Sequence, residues 1–177
     1  MPHSRWSDAL ALGLPLMDDT HEEFFQMLAA LIAGPDAEVV ERWNELVTHT
    51  KAHFAREDQW MKDTGFSSSN CHISQHHAVL EVMLETLERG RLGETALVRQ
   101  VAHELGSWFP QHVQGMDAAL ALHLRGVGYD AATGIVHMPE ALPAEAMHGC
   151  GSSACSPVQE SAATTAAADA VEAAETA

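Results

Sequence analysis

Apolar side chains recur at intervals of three and four residues along four stretches of this chain, the spacing expected for the buried face of an α-helix. The first stretch covers about residues 18–33 and ends at Gly34-Pro35, a pair that stops helices. The others cover about residues 36–64, 70–89 and 94–124, with short connections between them. Long amphipathic helices with short links pack most simply in alternating directions. The pattern therefore predicts an all-α protein, an up-down-up-down four-helix bundle.

The two ends of the chain lack this pattern. Residues 1–17 predict an irregular N-terminal arm, because Gly13 and Pro15 disfavour a helix, and we expect Trp6 to anchor the arm on the bundle. Residues 138–177 contain six acidic residues and no Lys or Arg, a composition that favours disorder. We therefore expect an arm over residues 1–17, a bundle domain over residues 18–127, and a disordered, low-complexity acidic tail over residues 128–177.

The fourth predicted helix contains a disturbance. Pro110 removes a backbone donor shortly before His112. His112 and Asp117 are five residues apart, which places them roughly 140° apart around an ideal helix, although both lie in an apolar setting. We expect a bend or a π-type widening between them, eased by Gly115, because helices often widen in this way at functional sites.

The charge of the chain disfavours some classes of partner. The formal net charge is −16, whereas nucleic acids and anionic membranes require clustered Lys and Arg, which this sequence lacks. No apolar run is long enough to cross a bilayer. Three cysteines do not make a disulfide framework. We expect no nucleic-acid or membrane partner, and a location in the reducing cytoplasm.

Polar side chains with metal-binding chemistry interrupt the apolar face of every predicted helix. His53 and Glu57 are four residues apart, so they project from one helix face, and His72 and His76 repeat this spacing. Burying such groups without partners is costly. The alternative is that these residues are ordinary core residues satisfied by hydrogen bonds. It would require polar side chains to fall by chance on the apolar face of all four predicted helices. The candidate ligands are His21, His53, Glu57, His72, His76, His112 and Asp117.

Imidazole and carboxylate ligands suit iron, manganese or zinc. Seven ligands exceed what one tetrahedral zinc ion takes, whereas two octahedral iron ions that share carboxylates use them well. Glu57 and Asp117 are the natural bridges, because a carboxylate has two oxygens for two metals. The set leaves room for a solvent-derived oxygen bridge and one vacant position, where a small gas would bind.

The order and spacing of these residues resemble the hemerythrin family in its bacterial form. The resemblance covers about residues 6–124 and rests on a set of short motifs in sequence order. The motifs are Trp6, Asp18-x-x-His21, His53-Phe54-x-x-Glu57, His72-x-x-x-His76 and Trp108-Phe109-x-x-His112-Val113-x-x-x-Asp117. The chain departs from the family at Pro110 and in the tail, which carries His148, Cys150 and Cys155. The two cysteines with His148 could form a redox pair or a transient metal site, although a flexible, unstructured tail accounts for them more simply.

The resemblance implies a role for each candidate ligand. One iron ion would be held by His72, His76 and His112. The other would be held by His21 and His53, which leaves it a free position for dioxygen. Glu57 and Asp117 would bridge the two iron ions together with an oxo or hydroxo group. The family's apolar oxygen pocket would be lined here by Trp108, Phe109 and Val113.

The function that follows is reversible dioxygen binding at a non-haem di-iron centre, for storage, delivery or sensing. Two alternatives share the same scaffold: a di-iron oxidase or peroxidase, and a signalling module that responds to oxygen or redox state. An enzyme is disfavoured, because the apolar faces offer no spare acid, base or tyrosine near the pocket residues. We therefore expect a protein that binds oxygen and is not an enzyme.

Overall fold

The computed structural model describes residues 6–66 and 71–145, and within these residues it confirms the helical bundle. Four successive helical segments pack around a shared interior, and the fourth segment contains a π-turn. Their bounds are α1, Pro15–Ala33; α2, Val39–Thr64; α3, Cys71–Arg91; and α4, Thr95–His112, continued by the π-turn Val113–Asp117 and by α5, Ala118–Gly126. Short 3-10 turns lie at Asp8–Leu10, Asp36–Glu38 and Pro139–Ala141. No helix in the described residues is long and apolar enough to cross a membrane.

The buried apolar residues form two clusters, one toward each end of the bundle. The aromatic cluster contains Phe24, Trp43 and Phe109, and Trp43 Nε1 donates to the Met83 carbonyl across the core at 3.0 Å. The tail-side cluster contains Met17, Trp60, Met61, Leu120 and Tyr129. α1 runs from the tail-side cluster to the aromatic cluster and α2 runs back, so consecutive helices alternate in direction.

The N-terminal arm is shorter than predicted. α1 begins at Pro15, three residues before the expected start, because proline is favoured at the first helical position, where its missing N–H is not needed. Asp18 does not cap the helix. Its carboxylate instead accepts from the backbone N–H groups of Leu12 (2.7 Å) and Gly13 (2.9 Å), which holds the arm against α1.

The chain after the bundle is ordered further than the composition indicated. Residues 128–145, assigned to a disordered tail, contain two short antiparallel strands, β1 (Tyr129–Asp130) and β2 (Ile135–Val136), and a 3-10 turn. Tyr129 is buried and its hydroxyl donates to Asp63 Oδ2 at 3.2 Å. The expectation of disorder from residue 128 was wrong here, because averaging composition over the whole tail concealed a few apolar anchors. Disorder of residues 146–177, with His148, Cys150 and Cys155, stays a prediction outside the described residues.

One cysteine also departs from expectation. Cys71, the first residue of α3, is disulfide-bonded, whereas three cysteines were not expected to make a disulfide framework. It immediately precedes the candidate ligand His72 in the sequence.

Candidate metal centre

The candidate ligands come from every helix of the bundle and meet at one level. In α1 and α2 they lie between residues of the aromatic cluster and residues of the tail-side cluster, so they form a polar layer between two apolar ends. α1 supplies His21, α2 supplies His53 and Glu57, α3 supplies His72 and His76, α4 supplies His112, and the π-turn supplies Asp117. All are buried, and none is more than 3% exposed.

The π-turn Val113–Asp117 explains how residues five apart reach one site. In a regular α-helix Asp117 would lie well around the helix from His112. The widened turn instead brings Asp117 Oδ1 to 3.1 Å from His112 Nε2. The predicted π-type widening is therefore confirmed. α4 continues through Pro110 and the widening begins three residues later.

The polar atoms fall into two groups that could each hold a metal ion. The three-His group contains three histidines and both carboxylates: Glu57, His72, His76, His112 and Asp117. The two-His group contains His21, His53 and Glu57. Within each group the ligand atoms all lie within 4.8 Å of one another.

Both carboxylates present a different oxygen to each group. Glu57 Oε1 lies 3.0 Å from His53 Nε2, while Glu57 Oε2 lies 3.4 Å from His76 Nε2. Asp117 Oδ1 lies 3.0 Å from His72 Nε2, while Asp117 Oδ2 lies 3.3 Å from His21 Nε2. Each carboxylate thus spans the two groups, as a bridge between two metal ions requires.

These atoms converge without satisfying one another. Within the part of the chain that the structure describes, both oxygens of Glu57 and Asp117, and the Nε2 atoms of His21, His53 and His72, are buried with no hydrogen-bond partner. Buried polar atoms are rarely left in this state, because each carries a desolvation cost of about 1–3 kcal/mol. A cation at the point where they converge would supply the missing interaction for all of them.

Two further nitrogens indicate the same need for a cation. His76 and His112 direct their Nε2 atoms at each other across 3.3 Å. A neutral imidazole carries one N–H, and the Nδ1 atoms of these rings have acceptors of their own in Asp58 (2.8 Å) and Gln75 (3.3 Å). With the proton on Nδ1, each Nε2 carries a lone pair that points into the centre. The donor set therefore fits a metal.

The electrostatics keep the carboxylates ionised. Burial acts to raise the pKa of Glu57, but the surrounding histidines, His53 first, hold that pKa well below its usual range. Asp117 behaves in the same way: burial and the charge of Glu57 raise its pKa, and His112 more than reverses this. Burial lowers the pKa of His72, whereas the nearby Asp117 and Glu57 raise it, with a net rise to about 9. Burial lowers the pKa of His112 and favours its neutral, metal-binding form.

Aromatic rings enclose the layer, but they contact different groups. Phe109 lies edge-on to His21, with ring centroids 5.2 Å apart, and 6.2 Å from His53, so it lies nearest the two-His group. Its ring also stacks on His112 of the three-His group at 6.5 Å. Trp108, partly buried, stacks on His112 of the three-His group at 4.6 Å. Val113 is fully buried in the aromatic cluster. Phe109 therefore contacts histidines of both groups and Trp108 contacts the three-His group, and their role in one oxygen pocket with Val113 stays a prediction.

Sequence reasoning missed several residues that contact the ligands. Phe54 stacks on His76 with ring centroids 3.9 Å apart, and Trp6 of the arm lies 6.2 Å from His21. Both belong to motifs already noted, without a specific contact assigned. Asp58 and Gln75 carried a weak signal, since each is the sequence neighbour of a ligand. A polar residue beside a ligand is common on any solvated helix, so only the structure distinguishes these two.

Comparison with known proteins agrees with this geometry. The Hemerythrin HHE cation binding domain matches residues 12–122 of the chain. A bacteriohemerythrin of Ralstonia nicotianae is 37% identical over 131 residues, which cover 74% of this chain and 96% of that protein. A bacteriohemerythrin of Pseudomonas paraeruginosa is 29% identical, over 67% of this chain and 79% of its own length. No solved structure matches the chain significantly. With its fold, its buried histidine and carboxylate cluster and these relatives, the chain belongs to the hemerythrin family and contains a metal-binding hemerythrin domain.

Proposed function

We propose that this protein binds dioxygen reversibly at a non-haem di-iron centre. The observation that supports this most is the unequal sharing of ligands between two adjacent groups. Glu57 and Asp117 face both groups, but three imidazoles serve one and two serve the other. If two octahedral metal ions occupied these groups, protein ligands would fill fewer coordination positions on the ion of the two-His group. The vacant position would therefore lie on that ion.

The distances between the ligand atoms support the following ligand assignment. His72, His76 and His112 would hold one iron ion, His21 and His53 the other, with Glu57 and Asp117 between them and an oxo or hydroxo group completing the bridge. When bound, such a pair of ferrous ions would supply two electrons, one from each ion, for the reversible reduction of dioxygen. Imidazole and carboxylate are ligands that suit iron.

The side chains on the two-His side would retain the oxygen and exclude water. Phe109 and Trp6 both lie near His21, and Phe25 lies between their rings, 5.4 Å from Phe109 and 6.3 Å from Trp6. A dry, apolar wall suppresses the escape of reduced oxygen species into water. For the same reason we propose binding rather than turnover, since the two phenylalanine rings carry no acidic proton and the indole N–H of Trp6 is a hydrogen-bond donor but not an acid.

The surroundings of the protein form part of the proposal. We propose dioxygen as its small-molecule partner and the cytoplasm as its location, with storage, delivery or sensing as its use. The disulfide on Cys71 is unusual for a cytoplasmic protein. Cell fractionation, with thiol labelling of Cys71 in each fraction, tests the location, and recovery of the oxidised protein outside the cytoplasm would contradict it.

The proposal is tested by reducing the iron-loaded protein without oxygen, admitting oxygen, and following the visible spectrum through repeated cycles of oxygenation and degassing. Reversible absorbance changes of constant amplitude are expected. Continuous oxygen consumption in the presence of a reductant would instead support an oxidase or peroxidase, and no spectral response to oxygen would contradict both functions. The variant Glu45→Ala, at an exposed position of α2, is the matched control for loss of protein or iron during the repeated cycles.

A further inference from the structure

The imidazoles of the centre are not equally supported behind the ligand atoms. His76 Nδ1 donates to Asp58 Oδ1 at 2.8 Å, and His112 Nδ1 donates to Gln75 Oε1 at 3.3 Å. By contrast, the Nδ1 atoms of His21, His53 and His72 are buried without a hydrogen-bond partner among residues 6–66 and 71–145. Two rings of the three-His group are therefore held by a hydrogen bond at Nδ1, whereas neither ring of the two-His group has such a bond within the described residues.

The position of Asp58 makes its contact specific. It follows Glu57 on α2 and reaches across to α3, and its side chain is 29% exposed while His76 is fully buried. Phe54, one turn earlier on α2, stacks on the face of the same imidazole with an interplanar angle of 5°. His76 is thus fixed at its edge by Asp58 and at its face by Phe54.

Gln75 provides the corresponding contact one helix further along. It precedes His76 on α3, and its amide oxygen accepts from His112 on α4, whose ring also stacks on Trp108. Asp58 and Gln75 therefore connect α2 to α3 and α3 to α4 behind the ligands. Both contacts leave Nε2 unprotonated and directed into the three-His group.

We propose that Asp58 and Gln75 are positioning residues that make the three-His group the tighter of the two metal sites, so that the two-His group releases its metal first. This inference rests on the proposed di-iron centre. A carboxylate or other acceptor that receives the N–H of a ligating histidine's second ring nitrogen fixes the tautomer and orientation of the ring and increases its basicity. Loss of such a partner typically costs about 10–100-fold in metal affinity or activity. No described residue accepts a hydrogen bond from Nδ1 of His21 or His53.

The test is the extraction of iron from the reduced, oxygen-free holoprotein by a ferrous chelator. Two kinetic phases of equal amplitude are expected. Asp58→Asn should accelerate the slow phase about 10–100-fold and leave the fast phase unchanged, and Gln75→Leu should act in the same direction. Asp19→Asn, which removes the same charge from an exposed position of α1, should change neither phase.

The same variants separate positioning from a merely structural role. Asp58→Asn should also raise the ferric/ferrous midpoint potential, because a less basic imidazole stabilises ferric iron less. A single extraction phase in the parent protein, or a parent-like slow phase and potential in Asp58→Asn, overturns the proposal. If Asp58→Asn fails to fold, Gln75→Leu decides by the same criteria. No step uses oxygen, so failure to bind dioxygen leaves this result intact.

Discussion

The two halves of the metal centre are built from the same kinds of ligand, but their surroundings differ. In the three-His group, Asp58 and Gln75 hold two of the rings through hydrogen bonds. In the two-His group, His21 and His53 have no hydrogen bond at Nδ1 from any described residue, and Phe109 and Trp6 lie beside His21. Polar support favours retention of a metal, whereas apolar walls around an incomplete ligand set favour a guest. In the proposed function, the three-His group would retain its iron ion more tightly, and the two-His group would bind dioxygen.

The largest effect is expected at Glu57, which faces both halves. Glu57→Ala removes an oxygen from each group and leaves buried histidines without their counter-charge. We expect loss of both metal ions and a loss of about 3–5 kcal/mol in the free energy of unfolding, typical of breaking a buried charge pair. Metal analysis and urea unfolding measure the two quantities, with Glu45→Ala on the same helix as the control. A variant that still holds two metal ions would show that Glu57 is not a bridge.

Removing one imidazole from each half compares them directly. His53→Ala should leave about one metal ion per chain, because the three-His group keeps its full ligand set. His112→Ala should lose metal from the three-His group and loosen the bundle, since metal binding is coupled to folding. Metal content and thermal unfolding of both variants, purified side by side, provide the measurement. Equal metal loss in the two variants would mean that the halves are equivalent.

A smaller effect is expected when the walls are changed and the ligands are kept. Phe109→Leu opens space beside His21 and His53, so the oxygenated protein should oxidise irreversibly several-fold faster as water enters. Its stability should fall by only about 1–2 kcal/mol, because the exchange keeps an apolar side chain and removes only part of its volume from the core. Trp108→Leu, on the His112 side, is the paired control. An equal or larger increase in Trp108→Leu would place the oxygen pocket on the three-His side instead.

The smallest effect is expected outside both halves. Tyr129→Phe removes the hydrogen bond to Asp63 and should cost about 0.5–1.5 kcal/mol of stability, with unchanged metal content and oxygen binding. Chemical unfolding and metal analysis measure this. Reduced metal content in Tyr129→Phe would show that the segment after the bundle contributes to metal binding.

The bundle and the ligand cluster were predictable because both depend on long, regular spacing. Helical periodicity over many residues places His21, His53, His72 and His76 on buried faces, and a bundle has room for such a layer only at its centre. The offset between His112 and Asp117 even predicted the widened turn, since two ligands of one site must share a side.

The features that were missed depend on single contacts. Two-residue strands at Tyr129 and Ile135 are too short to produce a period. The start of α1 depended on Pro15, which suits a first helical turn as well as it interrupts a later one. Asp58 and Gln75 were recognisable only when a neighbouring helix placed an imidazole opposite each of them. Spacing along one helix does not encode the rotation of its neighbour.

The most direct measurement is an oxygen titration of the fully reduced, iron-loaded protein, with iron and protein determined on the same sample. Two iron ions per chain are expected, with uptake of one dioxygen per pair of iron ions and full recovery of that dioxygen on degassing. One iron ion per chain, or oxygen that is consumed and not recovered, would contradict a centre of two iron ions bridged by Glu57 and Asp117 that binds dioxygen reversibly.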